Sequence, residues 1–213
     1  MNYRKKASDD FRFSVKSERP EDTMTPEEFY QTEDGQHHAT TSGMRRVQTL
    51  LAKRLEELLE ITQPGKHLEL GISAGFSAEY FQEKGHKVEG IDVAENILEI
   101  TKEKGFKANV GDMRDLKNIY KEGEFDTVSS ISALQWLKGD AKDLKKVAEG
   151  IYHVLKPNGK AGIQFYPKDN IELDTVKKAF ADHFDGGVVI DNPENPRKRR
   201  IYVILKKNKF KYH

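Results

Sequence analysis

From Lys66 onward the sequence predicts an α/β fold, a doubly wound, mostly parallel sheet of seven strands with an antiparallel C-terminal hairpin strand. Two observations predict it. The apolar runs "KHLELG", "KVEGID", "FKANVG", "FDTVSSI" and "KAGIQFY" alternate with amphipathic stretches, "FSAEYFQEKG", "NILEITKEKG", a helix from about Lys142 to Leu155 and another near residues 170 to 184. Strands separated by helices in this way pair in parallel. The last two runs, "GVVID" and "RIYVIL", have only a short link between them. They form a hairpin, so one of them must run against the rest.

The N-terminal third is organised differently. Residues 1 to 24 mix charges, Ser and Pro without sustained periodicity and read as a flexible arm. A helical segment over 25–62 should pack on the core. "TPEEFY" starts it, with Thr25 as cap, Pro26 at the first helical position and Glu28 three residues after the cap. After the polar "QTEDGQHHATTSG", the stretch "MRRVQTLLAKRLEELLEI" places Val47, Leu50, Leu51, Leu55, Leu58, Leu59 and Ile61 on one helical face. The α/β domain spans 63–207, "KPNG" breaks the chain before the fifth strand, and 208–213 is a short basic tail.

The 213 residues, 36% hydrophobic, suffice for one domain with a sizeable core. No run approaches the roughly 18 to 20 apolar residues that cross a membrane, and the start carries no secretory apolar region, so a soluble, cytoplasmic protein is expected, or a nuclear one in a eukaryotic source. The absence of cysteine excludes disulfides, thiolate catalysis and Cys-ligated zinc within the chain. With 36 Lys+Arg against 35 Asp+Glu, only a local patch can serve nucleic acid.

The stretch "KHLELGISAGFSAEYF" has the outline of a nucleotide-cofactor loop. A nicotinamide site would read G-x-G-x-x-G, but from Gly71 the second and third glycine positions hold Ser73 and Phe76. An S-adenosylmethionine loop, an acidic residue followed by G-x-G-x-G, maps onto Glu69, Gly71, Ser73 and Gly75 with Ser73 as the one departure. That cofactor has no pyrophosphate to bring against a helix N-terminus, so a small serine is tolerable there. Asp92 ends the second strand about 20 residues on, where a carboxylate accepts both ribose hydroxyl hydrogens. Val93 follows it. Asp112 or the Met113 amide, after the third strand, can address adenine, and Ile131 at the end of the fourth strand completes the cofactor set. Each glycine and aspartate taken alone reads as well as a turn or a helix cap.

This set resembles the class I S-adenosylmethionine-dependent methyltransferases, with their Rossmann-like sheet. More narrowly, "SALQWL", "IQFYP", "GGVVIDNPENPRKRRIYVIL", "PEEFY" and "SGMRRVQTLLAKRLEELL" look like the eukaryotic small-subunit ribosomal RNA guanine-N7 methyltransferase family. The resemblance runs from about Pro26 to Leu205. It implies methyl transfer to guanine N7 of small-subunit rRNA on an extruded or single-stranded base, with Trp136 and Tyr166 stacking on that base and Gln135 hydrogen-bonding its edge. N7 carries a lone pair and no proton, so no general base is needed. The resemblance also implies a small zinc-containing activator protein that adds a strand along the sheet edge, which the expected order assigns to "FKANV".

Arg197, Lys198, Arg199 and Arg200, in the link between the last two strands, concentrate positive charge suited to phosphate contacts or to a solvated turn. His37 and His38 have no organised set of further ligands, so no metal is expected; a loop over the cofactor entrance is the alternative use. Two other functions stay open: a small-molecule methyltransferase with Arg197 to Arg200 dispensable, and an rRNA-binding or assembly protein with weak catalysis.

Overall fold

A computed structural model describes residues 19–207; residues 1–18 of the arm expected over 1–24, and the tail at 208–213, lie outside the described residues. Four helices come first: α1 (Pro20–Thr23), α2 (Pro26–Gln31), α3 (Glu33–Thr40) and α4 (Ser42–Leu59). Threonines punctuate them. Thr25, Thr32 and Thr41 each accept a hydrogen bond from the backbone N–H three residues on, and Glu28 returns a bond to the Thr25 N–H at 2.8 Å, so the expected capping box is formed.

Two expectations change here. The last residues of the expected arm form α1, which buries Glu21. The polar stretch around His37 and His38, within the expected helical segment but with a loop over the cofactor entrance as its alternative use, is helix α3. It carries no apolar periodicity because it buries only Gly35 and Ala39. Gly35 is required by contact, since a Cβ there would lie 2.1 Å from the Phe29 carbonyl oxygen.

The α/β domain follows as β1 (Lys66–Leu70), α5 (Phe76–Glu83), β2 (Lys87–Asp92), α6 (Glu95–Glu103), β3 (Lys107–Val110), α7 (Leu116–Ile119), β4 (Phe125–Ile131), α8 (Ala141–Val154), β5 (Leu155–Phe165), α9 (Asn170–Ala181), β6 (Phe184–Asp191) and β7 (Arg200–Lys207). Short 3-10 turns at Met113–Asp115 and Leu134–Leu137 follow β3 and β4. The sheet order is β3-β2-β1-β4-β5-β7-β6, with β3 at one edge. The first five strands pair in parallel, and β7 enters antiparallel between β5 and β6. The expected break at "KPNG" is instead an irregularity inside β5. Leu155 pairs with Phe125 and Lys160 with Thr127, and Asn158 turns through a left-handed φ of 65° between them.

Apolar layers cover both faces. One joins α8 and α9 to the sheet through Leu144, Val147, Ile151, Val176 and Phe180. The other joins α4, α5 and α6 through Leu51, Leu55, Leu59, Phe81 and Leu98. Helix α4 sits close on β5 because residue 162 is glycine; a Cβ there would meet Leu55 at 2.6 Å. Arg54 of α4 clamps Asp191 of β6 through two bonds of 2.9 and 3.1 Å. Among the described residues no helix is long and apolar enough to cross a membrane.

Candidate active site

Parallel pairing brings the C-terminal ends of β1, β2, β3, β4 and β5 to one edge of the sheet, where open α/β sheets bind their ligands. A cavity of about 650 Å³ lies there, roofed by α1, α2 and α3. Its size is that of a small-molecule site.

The glycine loop is explained by its backbone. Gly71, Ser73 and Gly75 all take left-handed φ, at 74°, 48° and 78°. At Gly71 a Cβ would also lie 2.4 Å from the Ala133 Cβ. Glycine enters this region freely, whereas serine at 73 bears a cost of about 1–2 kcal/mol. Two bonds hold the serine. Its N–H donates to Asp92 Oδ2 at 2.9 Å and its carbonyl accepts the Thr101 hydroxyl, while the Tyr30 hydroxyl from α2 lies beside its side chain. Burial, with the charge of Asp92, pushes the Tyr30 phenol up to about 12 and keeps it protonated.

Asp92 is 6% exposed and lines the cavity beside Val93. Its other oxygen accepts the Ala94 N–H at 3.0 Å. Burial raises its carboxyl pKa against these lowering backbone bonds. Asp112 also lines the cavity, but its carboxylate is engaged. Arg114 donates to both oxygens at 2.9 Å and reaches Asp143 at 2.7 Å. Against the upward push of burial, these bonds hold the Asp112 carboxyl below its usual range. The adjacent Met113 and Ile131 complete this wall.

Glu69 and Gly75 do not reach the cavity surface. Glu69 is fully buried behind it, and burial pushes its carboxyl up to about 8. Ser77, which does line the cavity, donates its hydroxyl to one Glu69 oxygen, while the other has no partner. Glu69 therefore acts on the site through Ser77.

At the far end, Gln135, Trp136 and Tyr166 share the same cavity. Gln135 is buried, its amide N–H donating to the Ser132 carbonyl at 3.0 Å. Trp136 packs against Phe29 of α2 with ring centroids 5.6 Å apart, and His38 stands edge-on to Phe29 at 6.2 Å. The Tyr166 carbonyl accepts Arg19 at 2.7 Å, and its ring lies under the Arg200 guanidinium at 5.6 Å. None of Arg197, Lys198, Arg199 and Arg200 lines the cavity. Arg197 and Lys198 are exposed, Arg199 folds onto the Pro193 carbonyl, and Arg200 opens β7.

Sequence reasoning missed Tyr30, Phe29, Ser77, Arg19 and Arg114. The aromatic pair that ends "PEEFY" was the available signal for the first two. An S-adenosylmethionine molecule suits the chemistry of this cavity. Its ionisable lining near the loop is acidic, Asp92 and Asp112, and the nearby Arg114 is consumed by Asp112 and Asp143. That lining repels a pyrophosphate and favours ribose hydroxyls and a sulfonium cation.

Sheet order, antiparallel β7 and a strand-end cavity of this kind define a class I methyltransferase. A methyltransferase-domain family model matches residues 68–163. The fold is shared by the PH0226 protein of Pyrococcus horikoshii OT3, with a TM-score of 0.68 at 18% identity over 85% of this chain and 99% of that one. It is shared also by geranyl diphosphate C-methyltransferase of Streptomyces coelicolor A3(2), with a TM-score of 0.63 at 13% identity, covering 77% and 82% of the two chains. The 18S rRNA (guanine-N(7))-methyltransferase bud23 of Schizosaccharomyces pombe is 31% identical over 88% of this chain and 74% of its own length. The 18S rRNA (guanine-N(7))-methyltransferase of Mus musculus is 32% identical over 89% and 72%. The chain belongs to this 18S rRNA (guanine-N7)-methyltransferase family.

Proposed function

We propose that this protein transfers a methyl group from S-adenosylmethionine to N7 of a guanine in small-subunit ribosomal RNA. The observation that carries the reading is a single cavity holding Asp92 at one end and the Gln135, Trp136 and Tyr166 cluster at the other, in a chain of this family. Asp92 accepts the ribose hydroxyls, the Met113 amide beside Asp112 addresses adenine, and Ile131 supplies an apolar wall. The sulfonium cofactor supplies an electrophilic methyl group when bound. Trp136 and Tyr166 hold the plane of an extruded base, and Gln135 bonds its edge. Guanine N7 presents a lone pair and no proton, so orientation and exclusion of water by α1 to α3 are what the chain must provide.

Arg197 to Arg200 contact phosphates of the RNA outside the cavity, with Arg200 bridging to Tyr166. A small zinc-containing partner pairs with the β3 edge, where Val110 is 49% exposed. The work takes place where small-subunit RNA is matured, in the cytoplasm or nucleus.

Labelled methyl transfer from S-adenosylmethionine to small-subunit RNA, with and without such a partner, followed by nucleoside analysis, tests the reading. Label in 7-methylguanosine is expected. Intact cofactor binding with no label in that nucleoside would refute the substrate. Replacing Arg197 to Arg200 by Ala should lower the salt slope of RNA binding by about 3 and leave cofactor affinity unchanged.

A further inference from the structure

Gln164 of β5 is fully buried, pairs in register with Ile131 of β4, and does not line the cavity. Its amide donates to the Phe165 carbonyl at 3.3 Å, which only the NH₂ end can do. The carbonyl end is thereby turned to Ser132, whose hydroxyl donates to it at 2.9 Å. The Ser132 N–H donates to the Gln164 main-chain carbonyl, also at 2.9 Å. These two bonds hold Ser132 at a φ of 57°, a left-handed conformation that residues other than glycine seldom adopt.

The consequence reaches Gln135. In this conformation the Ser132 carbonyl takes the Gln135 amide N–H at 3.0 Å. A flipped amide would set two carbonyl oxygens against each other, so the orientation is determined chemically. It leaves Gln135 Oε1 as a hydrogen-bond acceptor that is buried, on a residue 8% exposed, with no partner. Each other polar atom in this chain of groups is paired. An unpartnered acceptor on a cavity-lining residue is satisfied by a donor that reaches it.

We propose that Gln164 is a positioning residue which, through Ser132, fixes the Gln135 amide with its acceptor presented to the substrate, so that the base is chosen by the donor edge of guanine, N1–H and the N2 amino group. The proposal rests on the guanine reading above. Adenine presents an unprotonated N1 at the corresponding position, lone pair against lone pair with Gln135 Oε1, although its N7 is equally able to take a methyl group.

The test uses full-length protein and an RNA fragment containing the guanine that the wild type methylates, prepared with guanine, inosine or 2-aminopurine at that position. Inosine lacks the N2 amino group, 2-aminopurine lacks N1–H, and both keep N7. The wild type should methylate at least one analogue roughly tenfold or more slowly than guanine in kcat/KM, and Gln164→Met should shrink that ratio to about twofold by slowing guanine alone. The dissociation constant for S-adenosylhomocysteine, measured by calorimetry, should be unchanged in Gln164→Met, which separates positioning from loss of fold. Gln135→Met should give the same loss of discrimination. Equal rates of the wild type on all three RNAs would overturn the proposal while leaving the guanine reading in place. A Gln164→Met protein that slows all three equally would also overturn it, as a merely structural residue would. Absence of any methylated guanine would remove the guanine reading and the proposal with it.

Discussion

The strand-end half of the cavity, from Gly71 to Asp92, and its helical half, from Arg19 to Thr40, are held by different means. In the first, backbone groups close the structure: Gly71 N–H to the Ile91 carbonyl, Ser73 N–H to Asp92, three left-handed turns in five residues. In the second, α1, α2 and α3 have only 4, 6 and 8 residues, too short to persist alone. They are held by caps and by a few side chains that reach the sheet, Arg19 to the Tyr166 carbonyl and Phe29 against Trp136, with the Tyr30 hydroxyl beside Ser73. The floor is thus set by chain geometry and the roof by docking, so mutations should separate binding that needs the floor from closure that needs the roof.

The sharpest separation comes from Asp92→Ala. It removes the proposed acceptor of two ribose hydroxyls, so the dissociation constant for S-adenosylmethionine should rise about a hundredfold or more in calorimetry. It also strands the buried N–H groups of Ser73 and Ala94, so stability should fall by about 1–3 kcal/mol in denaturant titration. Unchanged cofactor affinity would break the assignment of the floor.

Gly71→Ala tests the backbone claim directly. With a φ of 74° and the Ala133 Cβ 2.4 Å from the added carbon, it should destabilise the protein by about 2–4 kcal/mol in the same titration. An effect under about 0.5 kcal/mol would mean that the loop is not held as described.

Glu69 adds a pH signature to the floor. Its carboxyl, at about 8 in the fold, lies above its unfolded value of 4.5, so the folded state binds the extra proton between them. Stability contributed by the protonated form is complete below about 4.5 and is lost as pH rises towards 8. Thermal melts of Glu69→Gln from pH 5 to pH 8 should therefore show a flatter decline than the wild type, and a parallel decline would refute the assignment.

The roof should respond least. Tyr30→Phe removes the hydroxyl that lies beside Ser73 and should weaken S-adenosylmethionine about threefold to tenfold with little change in fold. Ser73→Gly relieves the left-handed strain but removes the side chain beside that hydroxyl. In a double-mutant cycle the two substitutions should therefore couple by about 0.5–1.5 kcal/mol in cofactor binding. Strict additivity would show that Tyr30 and Ser73 do not act together.

The floor was legible in the sequence because its constraints are local. A left-handed turn asks for glycine at 71 and 75, a strand end presents Asp92, and the alternation of runs gives β1 to β5 in order. The roof was not, since α3 has no apolar period to read and α1 sits in a charged stretch that resembles a tail. Glu69 was legible as part of a motif, but its place behind Ser77 was not, because spacing alone does not tell which side of a turn a carboxylate faces. Arg114 capturing Asp112 follows from the 3-10 turn after β3, which carries no apolar signature.

By itself the sequence determined the order of the strands β1 to β7 along the chain, the antiparallel hairpin at the end and the cofactor loop, since periodicity and glycine placement act over a few residues at a time. The tertiary structure alone decided that Tyr30 stands beside Ser73, that Phe29 meets Trp136 and that Gln164 and Gln135 both bond to Ser132. Those contacts join residues separated by up to about a hundred positions, and only packing of the helices and strands brings them together.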